Sequence, residues 1–174
     1  MTRARFVMIQ LLQRSYYQGS AQVVTSREEA AIPGELVSAH GFDVDGMQRA
    51  AWQHEIQEIK KLLNVNPASY VFFEFSIPRM GKRADVIFLV GGLIFVIEYK
   101  VGLDNYAPHA IEQTLDYAID LKNFHEGSHL EKIVPILVAT KALPVAPNDQ
   151  WFDDGIAEVQ RTNDTELNNL IAFF

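Results

Sequence analysis

Two apolar segments joined by a pair of glycines constrain the fold of this chain more than any other feature of its sequence. Residues 84–90 and Leu93–Lys100 are rich in β-branched and aromatic side chains, and only Gly91-Gly92 separates them. Two glycines between such segments are typical of a tight β-hairpin, because both turn positions require a positive φ. The sequence therefore predicts two adjacent antiparallel strands, and the two-residue loop defines which residues face each other.

The other elements are assigned from apolar periodicity and from the residues that begin or end them. Asp45 is a typical helix N-cap, Pro108 suits the first turn of a helix, and Pro135 within an apolar segment indicates an edge strand or a bulge. The assigned elements are a helix over residues 46–64, a strand over 70–77, the hairpin, a helix over 108–125 and a strand over 133–140. This order predicts an α/β or α+β domain with a mixed sheet flanked by helices.

Additional elements are expected at both ends of the chain. Ser26-Arg-Glu-Glu29 has the spacing of a capping box, which predicts a short helix ending before Pro33-Gly34. Thr162 or Asn163 is expected to cap a final helix whose apolar end, residues 170–174, is exposed. Residues 1–14 are expected to form an amphipathic helix or strand rather than a signal peptide. A short strand is expected over 156–160. The predicted organisation is a helical or irregular extension over 1–44, followed by a domain over 45–174 with its core at about 48–140.

The composition excludes several classes of protein. With 174 residues, of which 48% are hydrophobic, the chain is long enough for one domain with a sizeable core. It has no Cys, which excludes disulfides, thiolate zinc sites and cysteine catalysis and is compatible with a cytoplasmic location. No apolar stretch is long enough for a transmembrane helix, so no membrane association is expected. The net charge of −7 does not favour nucleic-acid binding by the molecule as a whole.

Charged residues in the hairpin strands point to a metal site. If Gly91 and Gly92 form the loop, Asp85 lies directly opposite Glu98, and Lys100 shares the face of Glu98. Two facing carboxylates repel each other unless a cation lies between them. An all-oxygen ligand set favours Mg²⁺ or Mn²⁺, while Lys100 can orient or deprotonate a water and stabilise charge on a phosphate. The alternative is a solvated charge pair at the strand ends.

These residues resemble the motif of the PD-(D/E)xK nucleases, whose fold is restriction-endonuclease-like. The resemblance consists of Asp85, of Glu98-Tyr99-Lys100 on the next strand, and of the αβββαβ order of elements. Ala84 stands where the family motif often has Pro. The resemblance implies a metal-dependent DNA nuclease with Asp85, Glu98 and Lys100 as catalytic residues and with the Tyr99 carbonyl as a further metal ligand.

Two helices add to the resemblance. Gln113 and Tyr117 are four residues apart on the helix after the motif, as in the Q-x-x-x-Y motif of RecB-like exonucleases, which implies that both reach the active site. Taken alone, Tyr117 could equally be a core residue. Glu55 lies in the first helix, where the superfamily often has another acidic ligand, and Glu58 is the competing choice.

A basic loop beside Asp85 is a candidate for nucleic-acid binding. Arg79, Lys82 and Arg83 are the natural phosphate contacts near the predicted site, although a charged, solvated turn is an equal alternative. The substrate is expected to be DNA, with RNA as an alternative.

Residues 48–140 resemble more narrowly the nuclease-like domain that precedes the helicase region in uncharacterised bacterial nuclease–helicase proteins. Functions in DNA repair, recombination or defence would follow, and a helicase domain or partner is implied. The chain would then be a stand-alone relative, a truncated product or an excised domain. The competing hypothesis is an inactive nuclease-fold module that binds nucleic acid or protein, supported by the acidic charge and by the apolar C-terminus, which could also mediate a homo-oligomer.

Overall fold

The computed structural model describes residues 14–41 and 43–174, so the segment predicted at 1–14 lies almost entirely outside the described residues. The α/β class predicted from the sequence is confirmed. Helices α1 to α5 are Ala21–Ser26, Ala31–His40, Gly46–Val65, Pro108–Phe124 and Leu167–Phe173, with a 3₁₀ turn at Glu126–Ser128. Strands β1 to β6 are Tyr17–Ser20, Tyr70–Ser76, Arg83–Val90, Leu93–Lys100, Lys132–Ala139 and Gln160–Thr162.

The strands form one mixed sheet in chain order from β1 to β6. Neighbouring strands from β1 to β4 are antiparallel, whereas β4, β5 and β6 are parallel to one another. The parallel step from β4 to β5 requires a crossover, and α4 provides it. Since β1 pairs with β2, residues before 45 contribute an edge strand to the sheet in addition to helices α1 and α2.

The predicted hairpin register is confirmed. Val90 pairs with Leu93, and the pairing continues residue by residue to Val86 and Ile97. Gly91 and Gly92 have φ values of 60° and 83°, as the two central positions of a tight hairpin turn require.

Helices cover both faces of the sheet. Asp45 caps α3 as predicted, because its side chain accepts a hydrogen bond of 2.7 Å from the Gln48 N–H. The apolar side of α3, including Trp52 and Ile59, packs in the larger core cluster together with residues of α1, α2 and α5. Tyr117 and its α4 neighbours pack in a second cluster. No helix in the described part of the chain is long and apolar enough to cross a membrane.

Three expectations about the chain ends are wrong. Ser26 ends α1 instead of capping a helix, and Pro33 lies in the first turn of α2, where a missing N–H is tolerated. The last helix begins at Leu167, and Asn163 instead accepts a hydrogen bond from the Glu166 N–H that closes the preceding turn. The apolar end is not generally exposed, because Leu170 and Ile171 are buried in the core.

Pro135 causes the bulge that the sequence indicated. Ile133 forms an isolated bridge with Ile156, whereas Ile136 pairs with Gln160, so one extra residue lies opposite Pro135. Proline cannot donate a ladder hydrogen bond, which explains why the pairing is interrupted there. The position of the short strand predicted at 156–160 is wrong: the strand forms at Gln160–Thr162, and Ile156 and Ala157 form only isolated bridges.

Substitution of Gly92 by Ala is expected to destabilise the protein by about 1 kcal/mol, because an L-residue resists its positive φ. Gly34→Ala is the matched control. A Cβ at either position meets open space, but Gly34 lies in α2, where Ala is favoured by about 0.5 kcal/mol. Urea unfolding of both variants measures the difference, and equal effects would contradict the role assigned to the turn.

Candidate functional site

Strands β3 and β4 stop pairing next to Asp85, the first carboxylate of the predicted metal site. Their pairing ends at Val86 and Ile97, whereas β4 stays paired with β5 as far as Lys100. The Asp85 carboxylate follows directly, and its Oδ2 accepts a hydrogen bond of 2.8 Å from the Tyr99 backbone N–H. The side-chain oxygen thus accepts a hydrogen bond from the Tyr99 N–H, which has no strand partner on β3. A buried backbone N–H requires such an acceptor.

Glu74 on β2 is an acidic residue that the sequence analysis missed. The β2–β3 pairing skips the position where Glu74 lies opposite Asp85, and Glu74 has a φ of 52°. Its carboxylate accepts hydrogen bonds from Trp52 Nε1 at 2.7 Å and from Arg83 Nε at 3.0 Å. A left-handed conformation costs a non-glycine residue on the order of 1 kcal/mol, so these two contacts must offset it. The sequence did contain a signal for this residue, because a charged Glu within an aromatic-rich strand indicates a special role.

The structure distinguishes between the two glutamates of α3. Glu55 is buried and lines the same cavity as Asp85 and Glu98. Its Oε1 atom has no hydrogen-bond partner among the described residues. Glu58 does not line this cavity and pairs with Lys61 at 2.6 Å. Glu55 is therefore the residue of the pair that is placed to act at the site.

Lys100 connects the Glu98 carboxylate of β4 to helix α4. Its Nζ donates to Glu98 Oε1 at 3.0 Å and to Gln113 Oε1 at 3.2 Å. Gln113 in turn donates from Nε2 to the Tyr117 hydroxyl at 2.6 Å. The resemblance implies that Gln113 and Tyr117 reach the active site. Gln113 does contact Lys100, but neither residue lines the cavity that Asp85, Glu98 and Lys100 line, and Tyr117 packs in the second core cluster, so their roles stay predictions.

The carboxylate cluster, defined as Glu55, Glu74, Asp85 and Glu98, is electrostatically strained. Burial raises the pKa of Asp85 well above its usual range, and the nearby charges of Glu98 and Glu74 raise it further. Burial likewise raises the pKa of Glu55, and the charges of the other three carboxylates add to it. Burial also raises the pKa of Glu98, with Lys100 opposing the shift. The cluster therefore favours protons or an added cation.

The charge on Lys100 is reinforced by the same neighbours. Burial lowers the pKa of its ammonium, but the carboxylates of Glu98 and Asp85 outweigh this effect, so that the pKa is raised overall. Lys100 is consequently a cation at neutral pH.

Glu55, Asp85, Glu98 and Lys100 line a cavity of about 820 Å³ between the N-terminal half of α3 and the ends of β3 and β4. His54 also lines the cavity, and its Nε2 contacts Asp164 Oδ2 at 2.8 Å, a pair that the sequence analysis did not find. Within residues 14–41 and 43–174, no three His, Asp or Glu side chains are arranged to hold a metal ion. The cavity therefore gathers carboxylates and one lysine without a preformed metal cage.

The basic loop lies apart from this cavity. Lys82 pairs with Asp120 at 3.5 Å, and Arg83 is engaged by Glu74. Arg79 is exposed at a turn. None of the three lines the cavity, so their assignment as phosphate contacts stays a prediction.

Comparison with known proteins assigns no family to the chain. No protein-family model matches it, and no curated protein sequence matches it. One similar solved structure is that of protein VC1899 from Vibrio cholerae, with a TM-score of 0.37 and 14% sequence identity. The similarity covers 98% of this chain and 49% of that protein, so the chain spans about half of its length. A similarity of this size assigns no function.

The Glu74→Ala variant is expected to be destabilised by about 2 kcal/mol, because Trp52 and Arg83 lose their acceptor. Glu74→Gly loses the same contacts but relieves the positive φ, so it should be about 1 kcal/mol more stable than Glu74→Ala. Urea unfolding of both variants measures these differences. A Gly variant no more stable than the Ala variant would show that the backbone strain is unimportant.

Stability without divalent metal is expected to decrease as the pH rises above the ordinary carboxyl pKa values of 3.8 and 4.5. The folded state retains protons on Glu55 and Asp85 that the unfolded chain releases, because both folded-state pKa values are raised. Glu55→Gln removes one of these groups, so its melting temperature relative to wild type should increase from about pH 5 to about pH 8. Thermal unfolding in EDTA measures this difference, and a constant difference would contradict the electrostatic account.

Proposed function

We propose that this chain is a divalent-metal-dependent nuclease that hydrolyses phosphodiester bonds in DNA, in the cytoplasm. The observation that carries the proposal is the convergence of Asp85, Glu98 and Lys100 on one cavity, at the point where β3 and β4 part. Three elements contribute these residues and Glu55, so the convergence is not a consequence of sequence proximity. Carboxylates, a cation and an accessible cavity are the components that metal-assisted phosphodiester hydrolysis requires.

The donors in the cavity suit Mg²⁺ or Mn²⁺. Glu55 Oε1 and Glu98 Oε2 are buried without a hydrogen-bond partner among the described residues, which is costly unless a cation or water satisfies them. Both are carboxylate oxygens, the donors that these ions prefer. Asp85, Glu55 and Glu98 would hold the ion, with the Tyr99 carbonyl as a further candidate ligand. Because no metal group is preformed in the described chain, binding requires the side chains to move together.

A bound divalent ion would supply a water of lowered pKa and neutralise charge on the scissile phosphate. The contribution of Lys100 follows from its hydrogen bonds. An ammonium has three donors, and Lys100 gives two of them to Glu98 and Gln113. The third can contact a phosphate oxygen and stabilise the charge that develops in the transition state. Gln113 and Tyr117 hold the ammonium in place and need not touch the substrate.

A second candidate function is an inactive nuclease-fold module that binds nucleic acid or a protein such as a helicase. The pairing of Lys82 and Arg83 with Asp120 and Glu74 favours the protein-binding form of this module. With a net charge of −7, these ion pairs leave few cations for a DNA duplex.

Lys100→Ala is expected to reduce the rate of DNA hydrolysis in Mn²⁺ by roughly 10²-fold to 10³-fold, because it removes a preorganised donor. Lys132→Ala is the control. Strands β4 and β5 are parallel, so Lys132 at the start of β5 lies at the opposite edge of the sheet from Lys100 at the end of β4. The measurement is cleavage of labelled single-stranded and duplex DNA in Mg²⁺, Mn²⁺ or EDTA. Equal rates for both variants would contradict the assigned role of Lys100.

Metal binding can be measured separately from DNA hydrolysis, through the melting temperature of the protein. Mn²⁺ should raise the melting temperature of the wild type, because it relieves repulsion among the buried carboxylates. The effect should be lost in an Asp85→Asn/Glu98→Gln variant. Metal-dependent stabilisation without hydrolysis of any substrate would overturn the nuclease proposal and favour the inactive module.

A further inference from the structure

The mouth of the cavity carries exposed apolar side chains on the side of α3 and of the loop after β4. Met47, Val101 and Leu103 line the cavity, and 83%, 40% and 42% of their surfaces are exposed. Leu143, on the loop after β5, is 86% exposed. These four residues are termed the apolar strip. Exposed apolar side chains grouped beside a cavity indicate a surface that contacts a ligand.

Hydrogen bonds hold the two loops of the apolar strip against each other. The Gly102 N–H donates to Thr140 Oγ1 at 2.8 Å, and the Lys141 N–H donates to the Leu103 carbonyl at 2.9 Å. The Tyr106 hydroxyl donates to the Leu143 carbonyl at 2.9 Å. The exposure of the strip is therefore built into the fold, and the surface is preorganised for binding.

The charges at the cavity do not suit a DNA duplex. Lys100 is the one Lys or Arg among the described residues that line it, compared with the carboxylates of Asp45, Glu55, Asp85 and Glu98. A duplex presents phosphates on its outside and hides the bases, so its affinity depends on several cations. An unpaired strand releases fewer counterions per phosphate contact than a duplex, and it exposes the apolar faces of its bases, which an apolar surface can cover while a single phosphate enters the cavity.

We infer that the site acts on single-stranded nucleic acid, with unpaired bases lying on the apolar strip and the scissile phosphate at Lys100. This inference rests on the proposed nuclease function and specifies its substrate class. It also assigns the strip a direct contact with the substrate, whereas Arg79, Lys82 and Arg83 are not needed for binding at the cavity.

Binding is measured with the full chain in Ca²⁺, with a short fluorescein-labelled oligothymidine and a blunt hairpin duplex as probes. Wild type should bind the single strand more tightly than the duplex. A Leu103→Ser/Leu143→Ser variant should lose roughly threefold to tenfold in affinity for the single strand, because it removes apolar area that the bases cover. Leu130→Ser is the matched control: Leu130 is 78% exposed but precedes β5, whereas Leu143 follows β5 on the loop that packs against the loop of Leu103.

A second substrate separates this inference from the proposed function. Bis(4-nitrophenyl) phosphate has no nucleobases, so its hydrolysis in Mn²⁺ by wild type and by the Leu130→Ser control tests the nuclease chemistry without relying on base contacts with the strip. Absence of hydrolysis of any substrate would refute the nuclease function. Hydrolysis with equal affinity for single strand and duplex, or with no effect of the strip variant, would overturn the inference. A strip variant that alters only self-association would identify the strip as an interface with another protein chain.

Discussion

The hydrogen bond between the Tyr99 N–H and the Asp85 carboxylate is the contact on which the site depends. Asp85 lies one residue and Tyr99 two residues beyond the last β3–β4 pair, where the two strands part while β4 continues beside β5. Parting two central strands would leave a backbone donor unpaired, and the carboxylate satisfies it. The same bond fixes Asp85 near Glu98, and the opening above it becomes the cavity.

Concentrating carboxylates at this point opposes stability. Glu55, Asp85 and Glu98 are held where burial and mutual repulsion raise their pKa values, and Glu74 adds a positive φ in the neighbouring strand. Sheets and cores do not need such a cluster, since apolar residues would pack there without repulsion. Strained and buried charged groups are typical of sites for binding or catalysis, which is the physical reason for proposing the function at this position.

Several parts of the site were predictable because they depend on short-range geometry. The Gly91-Gly92 turn set the register as far as Val86 and Ile97, the pair just before Asp85 and Glu98, and helical spacing placed Gln113 with Tyr117. Glu74 was missed because its side chain is positioned by a break in the strand that periodicity does not reveal. The expected exposure of the apolar C-terminus was wrong at Leu170 and Ile171, since burial depends on what packs against a helix.

The sequence by itself determined the mixed α/β sheet, the hairpin register and the common face of Glu98 and Lys100, because turn residues and side-chain periodicity act between near neighbours. Only the tertiary structure decided that Glu55 rather than Glu58 reaches the carboxylates and that Arg83 pairs with Glu74. Those contacts join residues from different elements. Their partners depend on how helices and strands pack, a property of the whole fold that no local pattern encodes.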